Sequence, residues 1–300
     1  MKVKIGSRKS QLALWQTNRV ADLLRQAHQD LEVEIVTMLT TGDRRSDEPL
    51  PSIGAKGLFT AELERALLDD AIDLAVHSLK DLPSELPQGL RYAGSPARGA
   101  ATDALISTRW TSLSDLPKGA TVATGSQRRR SQLLHHRPDL EMTNLRGNIG
   151  TRLEKLESQG HDAIIMATAA LQRLEMPEQV TMELMPPAFV PAVGQGAIGI
   201  EVRKGREDID ALLAPIMDDT TMQAVTAERC FMGQLDGGCS VALGAYCHRA
   251  DEQWVFHGWA SSQDGGQVLH EQMQGTDPLA LANEMAQDFI ARGAQEILNS

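Results

Sequence analysis

Three observations predict an α/β chain of two duplicated lobes followed by a small α+β unit. Strands and helices alternate along the first two hundred residues or so, one strand–turn–helix signature occurs twice, and the pattern changes after residue 217. The alternation is the mark of a sheet with parallel strands and helices on its faces. The repeat sets Gly6-Ser7-Arg8-Lys9-Ser10-Gln11-Leu12 against Gly125-Ser126-Gln127-Arg128-Arg129-Arg130-Ser131-Gln132-Leu133. Each copy follows a short apolar strand and reads Gly-Ser, basic residues, then Ser-Gln-Leu opening a helix.

The elements follow in order. Val3 to Gly6 reads as a buried strand, and a helix from Gln11 to Ala27 carries Leu12, Trp15, Val20, Leu23 and Leu24. Glu32 to Thr40 is a β-branched second strand. Arg44 to Gly57 is polar, rich in Pro and Gly and without periodicity, which predicts a mobile loop. Leu58 to Asp70 is amphipathic, and Asp73 to Val76 is a third strand. In the second copy Thr121 to Ala123, Glu141 to Leu145 and His161 to Met166 stand where the first three strands stood, with a helix from Ile149 to Gln159 between the last two. Gly94-Ser95-Pro96 and Pro191 to Gly196 are two crossings, so the chain is expected to return to the first lobe, adding Ile198 to Val202 as a strand and Ile209 to Met217 as a short helix. The expected organisation is lobe 1 from residues 1–96 and 197–217, lobe 2 from 97–196, and a third domain from 218–300. That last part reads as a helix from Thr220 to Gln234, three strands (Val241 to His248, Trp254 to Ala260, Val268 to Gln274) and a helix from Pro278 to Leu298.

Composition narrows the function classes. Forty acidic against 29 basic residues give a net charge of -11, which argues against a general nucleic-acid binder. Cys230, Cys239 and Cys247 form no CxxC pair, so neither a disulfide framework nor a zinc site is expected. Met1 to Ile5 leads straight into a strand, and no apolar run is long enough to span a membrane; a cytoplasmic protein is expected. Gly194-Gln195-Gly196 is too short for a nucleotide fingerprint, and no Walker-type lysine follows a glycine cluster.

Charge clustering points to the chemistry. Both Gly-Ser-basic turns lie at helix N-termini, where unpaired N–H groups and the helix dipole favour anions. Arg8 and Lys9 of one lobe are expected to face Arg128, Arg129 and Arg130 of the other across a cleft. Arg146, Arg152 and Arg173 come from element ends of lobe 2, where such folds place ligands. Arginine forks match carboxylates, so the set suggests a polycarboxylate substrate. The third strand runs into Val76-His77-Ser78-Leu79-Lys80-Asp81-Leu82-Pro83, and Asp81 is either an acid–base group at the cleft or a cap before Pro83. Lys80 is either an anion ligand or a partner that depresses the carboxylate. His77 is expected behind the strand, and His135 and His136 on the surface. After the Thr220–Gln234 helix, Leu235-Asp236-Gly237-Gly238-Cys239-Ser240 puts a thiol on a glycine turn; Cys239 is either an accessible nucleophile or an idle buried thiol.

The sequence resembles the porphobilinogen deaminase (hydroxymethylbilane synthase) family over nearly its whole length. The resemblance rests on Leu14-Trp15-Gln16, Gly57-Leu58-Phe59, Ala75 to Pro83, Leu145-Arg146-Gly147-Asn148-Ile149-Gly150-Thr151-Arg152, Pro191 to Ala197 and Gly237-Gly238-Cys239. It implies two lobes like those of periplasmic binding proteins, with mixed, mainly parallel sheets, and a third domain whose cysteine, here Cys239, holds a dipyrromethane cofactor through a thioether. It implies a cytoplasmic monomeric transferase, with no metal, nucleic-acid or membrane partner, that joins four porphobilinogen molecules head to tail, releases ammonia each time, and frees a linear tetrapyrrole. Asp81 matches the catalytic aspartate, where a carboxylate stabilises the cationic azafulvene left by the departing nitrogen. Arg8, Ser10, Phe59, Arg152 and Arg173 match substrate-contacting positions. Ser78, Lys80, Thr124, Ser126, Arg128, Arg129, Arg146, Gly194 and Gln195 match the cofactor cleft, and Lys56 with Phe59 would close a lid over it. Gln11, Gln127, Ser52 and the Ala100-Ala101-Thr102-Asp103 run depart from the usual family residues, the last at the crossing between lobes. A two-lobed polycarboxylate-binding module without catalysis, and a cysteine hydrolase, are the alternatives from other classes.

Overall fold

The computed structural model describes residues 1–44, 59–235 and 241–300. Beyond Arg44, the expected Arg44–Gly57 loop with Ser52 and Lys56 lies outside the described residues, and so does Cys239.

The first lobe runs β1 (Lys2–Arg8), α1 (Gln11–Ala27), β2 (Glu32–Met38), a single turn α2 (Thr41–Arg44), α3 (Ala61–Leu68), β3 (Leu74–Ser78), a 3-10 turn (Leu79–Asp81) and β4 (Leu90–Gly94). The second runs β5 (Asp103–Ile106), β6 (Thr121–Ala123), α4 (Gln127–His136), β7 (Glu141–Thr143), α5 (Ile149–Ser158), β8 (Ala163–Ala167), α6 (Thr168–Arg173) and β9 (Met182–Leu184). The chain then gives β10 (Ile198–Arg203), α7 (Glu207–Leu213), α8 (Asp219–Gln234), β11 (Leu243–Ala250), β12 (Gln253–Ser261), β13 (Val268–Gly275), α9 (Pro278–Ala291) and α10 (Ala294–Leu298).

The duplication shows in the sheet orders, β2-β1-β3-β10-β4 and β7-β6-β8-β5-β9. In each, the first three strands are parallel, the fourth runs against both neighbours, and the last shares the direction of the first three. That reversed strand is β10 in one sheet and β5 in the other. Each adjoins a crossing, so the chain does return to the first sheet after building the second. Helix α1 buries Ala13, Thr17, Val20, Ala21 and Leu24 at helical spacing. These pack with Val3, Ile5, Leu74, Val76, Ile200 and Val202 on one face of the sheet; Leu63, Leu67 and Ile72 cover the other. The third sheet is an antiparallel meander, β11-β12-β13, on which α8 and α9 pack through Phe231, Phe256, Phe289 and Met285.

Several boundaries differ from those the sequence predicts. Helix α3 is shorter than Leu58–Asp70: Phe59 and Thr60 form a turn, and the end comes where Asp70 takes a left-handed φ of 55°. The expected Pro278–Leu298 helix is two, because Gly293 at φ 83° breaks it. Residues 214–216 tighten into a 3-10 turn instead of extending α7. The short strands β4, β5 and β9 carry no clear alternation and were not predicted. The crossings press together at Gly196. Its φ is 84°, and a Cβ there would stand 2.5 Å from the Ala100 carbonyl oxygen, so backbone itself demands glycine.

Candidate active site

Strand β1 delivers Arg8 to its C-terminal end, and Ser10 caps α1 by accepting from the Ala13 N–H at 3.3 Å. The Arg8 guanidinium lies over the Phe59 ring, 4.4 Å from its centroid. Strand β3 ends at Ser78, whose hydroxyl accepts from the buried Gln16 amide at 2.9 Å, and the 3-10 turn that follows presents half-buried Asp81. Arg8, Ser10, Gln16, Phe59, Ser78 and Asp81 line a cavity of about 60 Å³. His77 also borders this cavity but is buried, with Nε2 3.1 Å from Glu201 Oε2.

Lobe 2 uses the same turn differently. Ser126 caps α4 through the Arg129 N–H, and the buried Thr124 hydroxyl accepts from the Ser126 N–H at 3.3 Å. Arg128 and Arg129 do not stand open across the cleft, which corrects that expectation. Both are buried and converge on Asp103 at the head of β5: Arg128 Nη2 reaches Oδ2 at 2.6 Å, and Arg129 Nε and Nη2 reach Oδ1 at 2.8 and 2.6 Å. Burial alone would raise the Asp103 carboxyl; Arg128 and Arg129 override it and hold it at about 2. Arg128 also donates to Val190 O, and Arg129 to Ile165 O. Lys9 is exposed and Arg130 half-buried.

Gln195 joins the halves. It is fully buried, donates to Ala101 O, Thr102 O and Asp103 Oδ1, and accepts from Lys80 Nζ at 3.2 Å. Its amide is thereby oriented, with oxygen towards Lys80. Burial, then Arg129, brings the Lys80 ammonium down to about 8, with Asp81 and Asp103 opposing. Neighbouring Gly194 donates its N–H to Glu228 Oε2 at 2.7 Å. Arg152 donates Nε to Gly147 O at 2.8 Å; burial, then Arg129 and Arg146, pushes it down to about 10 against the pull of Asp81. Arg129 and Asp81 thus bear on both Lys80 and Arg152 across the two lobes, and Arg146 bears on Arg152.

Arg173 does not join it. Its Nη2 donates to Gly196 O at 2.6 Å, its guanidinium faces Trp15 at 5.5 Å, and burial lowers it to about 10. It lines a separate, larger cavity of about 600 Å³ between α1, α6 and the first crossing. Asp81 lines the smaller one. Among the described residues no carboxylate pairs with Arg152 or Arg173.

Sequence reasoning passed over Asp103, Glu228 and Arg98. Glu228 on α8 accepts from Arg98 at 2.6 and 3.2 Å, from Gly194 N and from Cys247 N, tying both crossings to the third sheet. The signals were faint: a lone acid opening a four-residue strand, and an acid on the apolar face of a helix. Among the described residues there is no group of three or more His, Cys, Asp or Glu placed to hold a metal, and no helix is long and apolar enough to cross a membrane.

Comparison with known proteins decides the family. A family model described as "Porphobilinogen deaminase, dipyromethane cofactor binding domain" matches residues 3–211, and one for the porphobilinogen deaminase C-terminal domain matches 222–291. The chain belongs to the porphobilinogen deaminase family. With that membership comes the transferase chemistry of tetrapyrrole biosynthesis. A porphobilinogen deaminase of Maridesulfovibrio salexigens is 44% identical over 300 residues, covering 99% of this chain and 97% of that one. One from Francisella tularensis subsp. holarctica is 46% identical over 298 residues, covering 99% of each. Among solved structures, a lipoprotein of Bacillus subtilis aligns at 16% identity and TM-score 0.45, covering 73% of this chain and 92% of that one.

The cationic excess beside Asp81 fits the family's cofactor. A dipyrromethane carries carboxylate side chains, and half-buried Arg152, which among the described residues forms no ion pair with a carboxylate, suits such a group.

Proposed function

We propose that this chain deaminates porphobilinogen and joins four molecules of it head to tail on a covalently held dipyrromethane, releasing ammonia at each addition, and that water finally cleaves the tetrapyrrole from the primer as hydroxymethylbilane. The observation that carries this reading is the Asp81 carboxylate at a strand end amid Lys80, Arg129, Arg146 and Arg152. Ser78, Lys80, Thr124, Ser126, Arg128, Arg129, Arg146, Gly194 and Gln195 would frame the dipyrromethane. Arg8, Ser10, Phe59 and Arg152 would hold the incoming substrate's carboxylates and ring, with Arg173 at the hinge meeting the chain later. When bound, the dipyrromethane supplies the first pyrrole carbon that attacks and the anchor for the products of each addition.

Asp81 serves the substrate. As the aminomethyl C–N bond breaks, its electron pair leaves with nitrogen as ammonia, and positive charge spreads over the substrate's pyrrole. A fixed carboxylate beside that ring stabilises the charge. Bond formation then frees a proton from a pyrrole carbon, which Asp81 can take and pass to the departing ammonia as ammonium. The guanidinium forks bind and orient carboxylates without changing protonation.

Cys239 is proposed as the thioether anchor. Burial raises the Cys247 thiol, and Cys230 is engaged with Asn283 and Gln234, which supports neither as the nucleophile. We read the chain as working alone in the cytoplasm, with lobe 1 from 1–96 and 197–217, lobe 2 from 97–196 and the attachment domain from 218–300. Intact mass under denaturing conditions tests the anchor: a covalent excess of two linked pyrrole units is expected, and Cys239→Ser should lack it. A bare chain from cells with a working pyrrole pathway would refute the reading.

A further inference from the structure

Arg229, on α8, is a half-buried guanidinium that pairs with no carboxylate among the described residues. Nη1 donates to Leu82 O at 3.1 Å, and Nη2 donates to Pro83 O at 2.7 Å and Ser84 O at 3.2 Å. The guanidinium also lies 5.6 Å from the Tyr92 ring centroid, and burial pushes its pKa down. These carbonyls belong to the segment that leaves the 3-10 turn ending at Asp81. Docking that segment on α8 does not require a cation, because Leu82 already packs against Val225 of the same helix. An apolar side chain would serve docking at a smaller desolvation penalty than a guanidinium. What Arg229 adds is direction: a rigid fork whose donors fix the orientation of successive carbonyls.

The other side of the turn is held independently. Leu79 N donates to Ala197 O at 3.1 Å, and Lys80 donates to Gln195. Beside Arg229 in sequence, Glu228 takes both lobe crossings. One turn of α8 therefore references the hinge through Glu228 and the Asp81 segment through Arg229.

We propose that Arg229 is a positioning residue for Asp81, fixing the exit of its turn to the same helical turn that holds the lobe hinge. This rests on the reading of Asp81 given above. Small displacements of a reacting group lower turnover steeply.

The test uses full-length, cofactor-loaded protein carrying Arg229→Met or Arg229→Lys beside wild type. Porphobilinogen consumption is followed against pH, with intact mass, melting temperature and amide hydrogen exchange over residues 79–86. Arg229→Met should keep the loaded mass and a KM within about twofold, lose about tenfold or more in kcat, shift the pH profile of kcat, and exchange faster over 79–86. Arg229→Lys should recover part of each. Unchanged kcat, or a loss that tracks only the folded fraction with profile and exchange unaltered, overturns the proposal. Should Arg229→Met fail to fold, the lysine variant decides: full kcat with wild-type exchange also overturns it. A wild type inert towards porphobilinogen refutes the proposed function instead, while exchange over 79–86 still reports whether Arg229 holds the turn.

Discussion

The two lobes share a sheet order and a Gly-Ser-basic turn, yet they spend their arginines in opposite directions. In lobe 1, Arg8 leans over Phe59 at the mouth of the Asp81 cavity. In lobe 2, Arg128 and Arg129 turn inward onto Asp103, and that cluster is bonded to the site through Gln195 and Lys80. Duplication preserved where backbone donors and side chains emerge; the acid opening β5 changed what they do. The lobe 1 counterpart of β5 is β10, which opens with Ile198 instead of an acid. The lesson is that a basic motif at a helix start specifies a place, and the nearest buried carboxylate decides how its side chains are oriented there.

The largest effect should come from removing the strut. Asp103→Ala leaves two buried guanidinium groups facing each other, which should lower unfolding free energy by about 3–5 kcal/mol. Urea denaturation measures it. A loss under about 1 kcal/mol would mean the pair is solvated and Asp103 is no strut. The matching change in lobe 1, Asp81→Ala, should spare stability and lower kcat by about 10²-fold or more. Retained turnover in well-folded Asp81→Ala protein would remove the acid–base assignment and erase the contrast.

Acid titration sharpens the same distinction with smaller energies. Asp103 is held at about 2 against an ordinary 3.8. A folded-state pKa below the unfolded one gives stability that is present above the unfolded value and lost as pH falls through the folded one. Asp103 should therefore contribute about 2–3 kcal/mol at neutral pH, lost between about pH 4 and pH 2. Urea midpoints of wild type and Asp103→Asn at pH 6 and pH 3 measure it. The wild type should lose more between them, and parallel losses would place the acid sensitivity elsewhere.

Much of this was legible in the sequence because it is written in local rules. The paired Gly-Ser turns gave the duplication and the start of α1 after Ser10, but Ser131-Gln132-Leu133, expected to open the second helix, lies inside α4, which Ser126 caps five residues earlier. The two crossings predicted the return of β10. Asp103 and Glu228 were not legible, since a buried acid resembles a surface acid until its partners, 25 and 130 residues away, are folded against it. The misassigned direction of Arg128 has the same origin: sequence places a guanidinium at a helix start but does not say which side of the sheet holds the countercharge. Arg173, expected at an element end of lobe 2, does stand at the end of α6, but it lines a cavity apart from Asp81.

The smallest predicted effect tests the shared part of the lobes. Ser10 and Ser126 make equivalent caps, accepting from Ala13 N at 3.3 Å and Arg129 N at 3.4 Å. Ser10→Ala and Ser126→Ala should each cost about 1 kcal/mol of stability. Their kinetics should part company. Ser10 lines the Asp81 cavity, so its loss should raise KM for porphobilinogen severalfold, whereas Ser126 is expected to meet the covalently held primer and should leave that KM near wild type. Stability losses that differ by more than about 1 kcal/mol would show that the two turns are not equivalent struts. An equal rise in KM would show that incoming substrate touches both lobes alike, and the division of labour drawn from Asp103 would fall with it.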